Sequence, residues 1–539
     1  MRDKSRDGLI NRVEAYLLSR FSLFWRLVMA IPPLRRWANK RIIGRAAQRA
    51  PSRPHALSSM PCKGDPSAAM AGYTSWESLT DRNWFSRHLP PRTLKVYPDV
   101  KLVAELFKVR ADGPVISEDS TVLFLSFAQW FTDGFLMTDT ADRRRTHTSH
   151  HIDLNPLYGL TREQTHAVRM MSEIRGERGR LKFEEIGDEI YAPKLYDEKG
   201  VVKPEFAVLR APLGIGDYLN RLPADRAAEI RKYVFAFAGD RANSTPFTTM
   251  LNTLFLREHN RLAKILETAY PAWDDERIFQ TARNINIVEL IKIVVEDYIN
   301  HISPYHFQLL ADPKVCWREY WNKPNWIPIE FNLLYRWHSL VPDSFMFEGE
   351  RVAAKEVGFD NSFLMASGLA SLAASASQQR AWEIGLFNTA PFLVPIELAA
   401  VEQSRTHLVG SYNDYREVYG YPRVNQYEQI TGDQGKIDAL RRLYGDDPDN
   451  VELVIGLFAE DVGPRAAVPP LIGRMVAFDA FSQALTNPLL AECVFNENTF
   501  TKEGLGVIAA TARLQDVVNR NLAAGQESVV ISMQITKLD

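Results

Sequence analysis

The chain has 539 residues, of which 46% are apolar and 24% are charged, and its formal net charge is −2. This composition is typical of a globular protein, and it excludes a disordered, collagen-like or coiled-coil chain and a polytopic membrane protein. The near-neutral charge gives no bulk basic field, so no nucleic-acid partner is expected. However, residues 1–50 hold twelve Lys and Arg against three Asp and Glu, which indicates a basic arm with its own anionic partner.

Residues 1–50 are predicted to form this arm from amphipathic helices. The apolar stretch at 9–31 is interrupted by charged residues, which oppose a membrane span and fit a secretory signal poorly. The segment at 34–45 is basic and amphipathic, with Trp37 as a candidate interfacial anchor. The pattern predicts helices that lie in the plane of a membrane against anionic headgroups. The alternative is a helical pair packed on the body of the protein.

The domain organisation follows from composition. Residues 51–72 are rich in Pro, Ser and Ala and are predicted to be a linker, followed by one large domain at 73–539. The three cysteines, at positions 62, 316 and 493, are far apart and odd in number, which excludes a disulfide framework and a CxxC zinc site. A reducing compartment fits best, most simply a bacterial cytoplasm. We therefore expect a peripheral, monotopic protein on the cytoplasmic side of a bacterial membrane.

Helical periodicity dominates the large domain. A mostly apolar run covers 121–137, and long amphipathic patterns of good helix formers cover 247–269 and 275–302. Short β-like pieces occur at 190–209 and 529–535. The predicted fold is a mainly α, single-domain helical body behind the N-terminal arm.

His338 is the main candidate for chemistry, because no P-loop, GxGxxG, HExxH or GxSxG motif stands where it is needed. It lies in the apolar, aromatic segment 329–345. Such a histidine can ligate haem iron, although a hydrogen-bonded core histidine has the same pattern. Tyr335 precedes it by three residues, which predicts one shared helical face. There it is either an oxidisable tyrosine near a haem or an ordinary core tyrosine.

Several long motifs occur in one order along the chain. They are YTSWESLTDRNWFSRHLPP at 73–91, SFAQWFTDGF at 126–135, HIDLNPLYG at 151–159, a helical stretch at 254–309, and EFNLLYRWHSLVPDSF at 330–345. These motifs strongly resemble the prostaglandin synthases (cyclooxygenases) of the animal haem peroxidase superfamily. The resemblance covers about 73–500 and implies a cyclooxygenase-like helical fold with haem b as cofactor.

The resemblance assigns roles around the haem. His338 matches the proximal iron ligand, Tyr335 the tyrosine that becomes a hydrogen-abstracting radical, and Gln129 the distal glutamine. Asp133 stands where the family has its distal histidine, the acid–base group that moves a peroxide proton. A buried carboxylate can take this role, but we expect weak peroxidase activity and retained oxygenase activity. Gly134 occupies the position of the usual calcium ligand, so calcium is not expected.

The resemblance also implies an unsaturated fatty acid as substrate, with its carboxylate held by an arginine and a tyrosine. Tyr305 matches the tyrosine, and Arg45 is the candidate arginine, although the gapless alignment falls on Ala46 and lipid contact is its alternative role. Tyr298 is expected to support Tyr335 by a hydrogen bond. The other channel positions are Ile299, Ile302, Ser303, Phe331, Leu334, Trp337, Gly473, Ala477 and Ala480.

Three functions remain open from the sequence. The first is a dioxygenase that adds O2 to an extended fatty acid and forms a hydroperoxide, which is an oxylipin. An endoperoxide is not expected, because Val476 and Ala480 alter the channel lining that its formation needs. The second is a haem peroxidase or peroxygenase with Asp133 as acid–base group. The third is a non-catalytic lipid- or haem-binding protein. The oligomeric state is open, with a homodimer among the alternatives.

Overall fold

The computed structural model describes residues 16–47, 83–303, 305–322, 326–464 and 466–535. In these segments the chain is mainly α-helical, with short strands paired two by two, which confirms the predicted fold class. The predicted linker at 51–72 and the first fifteen residues of the arm lie outside the described residues.

The described elements follow one another in a fixed order. The α-helices are α1 (Ser22–Ala30), α2 (Pro32–Ala47), α3 (Val100–Ala104), α4 (Val122–Asp133), α5 (Asn155–Tyr158), α6 (Arg162–Val168), α7 (Ile215–Leu219), α8 (Ala224–Arg231), α9 (Pro246–Ala269), α10 (Asp275–Ile293), α11 (Ile299–Ile302), α12 (Pro313–Cys316), α13 (Ile329–Leu334), α14 (Ser362–Ser367), α15 (Leu369–Gln378), α16 (Val394–Thr406), α17 (Tyr412–Val418), α18 (Gln434–Tyr444), α19 (Leu453–Ala459), α20 (Pro470–Leu485), α21 (Glu497–Ala510) and α22 (Leu514–Arg520). The strands are β1 (Ile116–Thr121), β2 (Glu184–Ile186), β3 (Glu189–Tyr191), β4 (Ser344–Phe347), β5 (Glu350–Ala353) and β6 (Arg380–Trp382). They form the antiparallel pairs β1–β6, β2–β3 and β4–β5.

Helices α9 and α10 pack against each other in the core. α9 begins at a capping box, in which Thr245 and Thr248 each accept a hydrogen bond from the other's backbone N–H, and Pro246 takes the first helical position. Both features stabilise a helix start. Most side chains of α9 are buried, because α10, α4 and α15 also pack on it. The predicted helix at 247–269 is confirmed, and that at 275–302 is helical throughout.

Helix α4 contains most of the predicted apolar run. It begins after Thr121, whose hydroxyl accepts a hydrogen bond from the backbone N–H of Phe124, and it ends at Asp133. Nearly all of its side chains are buried, because α9 and α15 cover it. Gln129 and Asp133 are four residues apart and therefore share one face of a core helix.

α10 continues directly into a π-helical segment at Val294–Tyr298, and α11 follows that segment. Such segments are rare and often occur at functional sites. Here the segment directs Tyr298 toward α4, with ring centroids 5.5 Å from Phe124 and 5.2 Å from Phe127. Helix α20 packs against the same segment, so the ring of Tyr298 is fixed inside the core.

Tyr335 and His338 do not share one helical face, so this prediction is wrong. α13 ends at Leu334, and both Tyr335 (φ −86°, ψ 21°) and Trp337 (φ −89°, ψ 38°) leave helical geometry. His338 then begins a 3-10 turn. The rings of Tyr335 and Trp337 lie 4.5 Å apart and are stacked, a contact that residues two positions apart do not make on an α-helix. The helix therefore ends before Tyr335, where the two rings stack.

The alternation of apolar and polar residues predicted few of the strands that the structure contains. Of the β-like segment at 190–209, only its first two residues lie in a strand, and 529–535 contributes one isolated bridge, between Ser120 and Gln534. β1 was not predicted, because its sequence ISEDST is polar and lacks the apolar alternation of a half-buried strand.

The arm packs on the body of the protein through ion pairs. Arg36 contacts Asp312 at 2.6 Å and Lys40 contacts Glu319 at 2.6 Å, and α2 lies against α12 and α20. Within the described segments, no helix has the length and apolarity needed to cross a bilayer. Several large apolar side chains of the arm are nevertheless exposed, and we call them the apolar face of the arm: Tyr16, Leu17, Phe21, Leu23, Phe24, Leu27, Ile31, Leu34 and Trp37.

Candidate active site

Tyr335 follows α13 directly and lies among aromatic side chains. Its ring centroid is 4.7 Å from that of Phe331 and 4.5 Å from that of Trp337. Burial raises the pKa of Tyr335 far above the usual range of a phenol. A phenol in such surroundings does not ionise near neutral pH, so its accessible chemistry is the loss of a hydrogen atom. Two predicted channel residues, Phe331 and Trp337, thus lie beside it.

The hydroxyl of Tyr298 faces that of Tyr335. Both oxygens are buried, and neither completes a hydrogen bond with the described residues. Burial raises the pKa of Tyr298, and the nearby Tyr335 raises it further, whereas Tyr298 acts to lower the pKa of Tyr335. The two phenols are therefore close to each other, and the hydrogen bond between them stays a prediction.

A buried ionic cluster lies near Tyr335. His88 Nε2 is 2.9 Å from Asp479 Oδ1 on α20, and the backbone N–H of His88 donates to Glu330 Oε1 at 3.1 Å. Glu330 Oε1 also accepts a hydrogen bond from the hydroxyl of Tyr415 at 2.7 Å. Burial opposes the charge on His88, but Asp479 and Glu330 outweigh it and raise its pKa. Asp479 also acts on Tyr335 and adds to the rise of its pKa.

His338 is oriented by a buried carboxylate. Its Nδ1 lies 3.0 Å from Glu397 Oε1 on α16. The side chain of Glu397 is 2% exposed and that of His338 is 24% exposed. A carboxylate in this position accepts the Nδ1 proton, which fixes the tautomer whose Nε2 is an electron-pair donor. This is the arrangement of a metal-ligating histidine, so His338 can hold the predicted haem iron.

Asp133 has the features of a proton shuttle. Its Oδ2 is buried without a hydrogen bond to the described residues, and its Oδ1 is 3.8 Å from Arg241 Nη1. Burial raises the pKa of Asp133 from 3.8 to about 7, with Arg241 opposing the rise and Asp240 adding to it. A carboxyl with this pKa can accept and return a proton near neutral pH. One turn earlier, Gln129 Nε2 donates to Ser244 Oγ at 3.0 Å.

Two arginines connect the surroundings of Asp133 with those of His338. Burial lowers the pKa of Arg336 to about 10, the nearby Arg241 lowers it further, and Glu397 opposes the shift. Arg241 also faces Asp133, and Glu397 holds His338. Arg336 therefore lies within electrostatic reach of both Arg241, which faces Asp133, and Glu397, which faces His338.

The residues present fit a haem. His338 offers a nitrogen oriented by Glu397, as a proximal ligand requires. Asp133 Oδ2 and Arg336 Nε are both buried without a partner among the described residues. If haem were bound, the first atom would suit acceptance of a peroxide proton, and the second would suit a carboxylate such as a haem propionate.

The remaining predicted channel residues come from elements that pack together. α20 lies against α13 and against the π-helical segment that precedes α11. Ile299, Ile302, Leu334 and Ala480 are buried, and Ala477 packs partly buried against the same core. The predicted channel set lies on these elements or directly after them, and its role as a channel stays a prediction: Ile299, Ile302, Ser303, Phe331, Leu334, Trp337, Gly473, Ala477 and Ala480.

The two predicted carboxylate ligands lie on separate elements. Arg45 is half-buried in the last turn of α2, and Tyr305 follows α11 and packs partly buried against the core. The arm meets the chain close to Tyr305, where the rings of Trp25 and Phe307 are 5.3 Å apart. The arm thus packs against the segment after α11, and a channel mouth at this place stays a prediction.

Sequence reasoning missed Glu397, Asp479 and Arg241. Glu397 and Asp479 are single carboxylates in the apolar stretches PIELAAV and RMVAFDAF. This signal was readable, because a buried charge in an apolar helix requires a partner. Arg241 gives no local signal, because its position beside Asp133 depends on the tertiary fold.

Comparison with known sequences identifies a family. The model of the animal haem peroxidase family matches residues 106–532. Prostaglandin G/H synthase 2 from Equus caballus is 31% identical over 522 residues, which cover 94% of this chain and 80% of that protein. Prostaglandin G/H synthase 1 from Mus musculus is 29% identical over 463 residues, covering 83% of this chain and 72% of that protein.

Solved structures share the fold at low sequence identity. The fatty acid alpha-dioxygenase of Oryza sativa has a TM-score of 0.67 and 18% identity, covering 84% of each chain. Peroxidase A from Dictyostelium discoideum has a TM-score of 0.62 and 18% identity, covering 83% of this chain and 92% of that one. The predicted cyclooxygenase-like fold is confirmed. By sequence and fold, the chain belongs to the animal haem peroxidase family, a family of haem-dependent oxidoreductases.

Proposed function

We propose that the chain is a haem-dependent dioxygenase that inserts O2 into an unsaturated fatty acid and releases a fatty-acid hydroperoxide. The observation that carries the proposal is the buried phenol of Tyr335, packed among aromatic rings three residues before the carboxylate-oriented His338. The relatives support the substrate class, because they include prostaglandin G/H synthases and a fatty acid alpha-dioxygenase.

Tyr335 transfers the hydrogen atom in this mechanism. Haem b, held by His338, supplies the one-electron oxidation chemistry when it is bound. The phenoxyl radical of Tyr335 takes a hydrogen atom from an allylic or bis-allylic carbon, which re-forms its O–H bond and leaves a carbon radical. O2 adds to that carbon, and the resulting peroxyl radical takes the hydrogen back from Tyr335. One C–H bond and one O2 are thus converted to one hydroperoxide, and the Tyr335 radical is restored.

The surroundings of Tyr335 orient this transfer. Contacts with Phe331 and Trp337 hold the ring and exclude water, so the substrate carbon meets the phenoxyl oxygen at a fixed distance. Tyr298 faces the same oxygen and can donate a hydrogen bond to the radical form. Val476 and Ala480 on α20 are buried, and this lining supports an extended rather than a folded fatty acid.

A second candidate function is a haem peroxidase or peroxygenase that oxidises other organic molecules. It is favoured by Asp133, because burial raises its pKa to about 7 and lets the carboxyl accept a proton from a peroxide and return it. Peroxide-driven oxidation of guaiacol, compared with O2 uptake on linoleate, separates the two functions. Turnover of guaiacol without any O2 uptake favours the second.

We also propose that the chain binds the cytoplasmic face of a membrane as a monotopic protein. Leu23 and Trp37, in the apolar face of the arm, are 70% and 64% exposed, and residues 1–50 carry a surplus of basic side chains. Exposed apolar side chains insert among headgroups while Lys and Arg contact anionic lipid. Deletion of residues 1–45 should release the protein from anionic liposomes. Equal co-sedimentation of the truncated and full-length forms means that the arm is structural.

Product analysis tests the dioxygenase proposal. The holoenzyme is incubated with oleate, linoleate and arachidonate under isotopically labelled O2, and the products are identified by mass spectrometry. We expect a hydroperoxide in which both added oxygen atoms are labelled. The absence of an oxygenated product from all three acids contradicts the proposal.

A further inference from the structure

Arg474 lies on α20 among the predicted channel positions. It follows Gly473 and precedes Ala477 by three residues on α20, and both are predicted channel positions. Its guanidinium carbon is 5.0 Å from the centroid of the Phe478 ring. The Arg474 side chain thus covers an aromatic surface on the helix that packs against both α2 and α13.

Arg474 differs from Arg405 and Arg416 because it has no carboxylate as an ion-pair partner among the described residues. Arg405 contacts Glu452 at 2.7 Å and Arg416 contacts Glu460 at 3.1 Å. Arg474 forms no ion pair with any carboxylate of the described residues, and its Nε is buried without a hydrogen bond to them. Removing a guanidinium nitrogen from water without a partner costs free energy. A site that binds a carboxylate from outside the chain accounts for this cost.

Tyr421 lies within electrostatic reach of the Arg474 guanidinium. Burial raises the pKa of Tyr421 to about 12, Arg474 opposes the rise and Tyr305 adds to it. Tyr421 is therefore a common neighbour of Arg474 and Tyr305. A guanidinium fork with phenolic hydroxyls beside it provides several donors for one carboxylate.

The position of Arg474 along α20 also suits a substrate anchor. Asp479, five residues later on the same helix, acts electrostatically on Tyr335. Five residues correspond to about 7.5 Å along a helix axis. Tyr335 directly follows α13, which packs against α20, so the elements that carry Arg474 and Tyr335 lie against each other.

We propose that Arg474 binds the carboxylate of the substrate, with Tyr421 and Tyr305 beside it, and that Arg45 does not. This assignment rests on the proposed fatty-acid oxygenation and names the residue that selects free acids over their esters. Because the fork of Arg474 is planar and gives two parallel hydrogen bonds, a lysine at this position replaces it only in part.

Binding to the full-length holoenzyme tests the assignment. Displacement of the fluorescent fatty acid cis-parinaric acid is measured with oleate and with methyl oleate, and KM and kcat for O2 uptake are measured with linoleate and its methyl ester. Arg474→Gln should weaken binding of the free acid by about 10–100-fold. The affinity for the ester should stay unchanged. The affinity of Arg474→Lys for the free acid should lie between those of the wild type and Arg474→Gln. Arg318→Gln is the matched control, because this arginine is 82% exposed at the surface.

Three results overturn the assignment. In the first, Arg474→Gln still prefers the acid to the ester as strongly as the wild type does. In the second, Arg474→Gln loses affinity for the acid and for the ester equally. In the third, Arg45→Gln and not Arg474→Gln loses the preference for the acid. If Arg474→Gln does not fold, Tyr421→Phe is measured instead. This variant keeps the aromatic ring and should weaken binding of the acid but not of the ester. A wild-type protein that binds the acid through Arg474 but takes up no O2 contradicts the proposed function and leaves the anchor standing.

Discussion

Replacement of Asp133 should separate peroxide cleavage from fatty-acid oxygenation. Because burial raises the pKa of Asp133 to about 7, the carboxyl is mostly protonated below that pH and cannot accept a peroxide proton. The peroxidase turnover of the wild type should therefore fall about tenfold for each pH unit below 7 and level off above it. Asp133→Asn cannot accept the proton at any pH, so turnover should drop by about 10²–10⁴-fold and lose this pH dependence.

The same pKa has a consequence for stability. The folded protein holds the Asp133 proton more tightly than the unfolded chain, so stability contributed by the protonated form is lost as pH rises from 3.8 to about 7. The rise in the pKa of Asp133 from 3.8 to about 7 corresponds to about 4 kcal/mol in the free energy of unfolding. Asp133→Asn should therefore raise the free energy of unfolding at pH 8 but have little effect near pH 4.

The assay is peroxide-dependent oxidation of guaiacol from about pH 5 to about pH 9, with the Soret band as the control for haem content. Asp133→His places at this position the histidine that the resemblance implies, whose ring nitrogens can accept and return a proton, and should raise turnover and shorten any lag before O2 uptake. A wild-type profile that is flat through pH 7, or wild-type turnover in Asp133→Asn, refutes the role of Asp133.

The remaining predictions concern the iron ligand and the radical. His338→Ala should abolish or strongly shift the Soret band of reconstituted protein; an unchanged spectrum contradicts its assignment as ligand. Glu397→Gln should raise the Fe(III)/Fe(II) potential, measured by spectroelectrochemistry, because a neutral amide makes His338 a weaker electron donor; an unchanged potential means that Glu397 only packs. Tyr298→Phe should slow oxygenation by about 2–10-fold, the effect of one hydrogen bond, and alter the electron paramagnetic resonance line shape of the radical, whereas an identical signal places Tyr298 away from it.

Long periodic segments and ordered motifs were sufficient to predict the helical body. The helices now seen at α4, α9 and α10 are long, and their burial follows from apolar residues repeated over many turns. The motif around His338 predicted a proximal ligand, and the structure places Glu397 at its Nδ1. Local sequence carries this kind of information, because helix formation depends on nearby residues.

The finer geometry depends on contacts that are distant in sequence. α13 ends before Tyr335, where the Tyr335 ring stacks on that of Trp337, although the apolar pattern of the sequence continues. Asp133 acquires its pKa from burial and from Arg241, more than one hundred positions away. The Nε of Arg474 is buried without a hydrogen bond to the described residues, which only the tertiary fold reveals. No spacing rule reports such properties, because they exist only once the chain has folded.

Oxygenation by Tyr335→Phe is the measurement that tests the central claim most directly. Phenylalanine keeps the ring contacts with Phe331 and Trp337 but has no O–H bond to donate or re-form. The variant should retain its haem, shown by an unchanged Soret band, and its fold, shown by an unchanged circular dichroism spectrum. O2 uptake on linoleate should nevertheless fall to the background rate. Oxygenation at the wild-type rate contradicts the radical mechanism, and the peroxygenase function then takes its place.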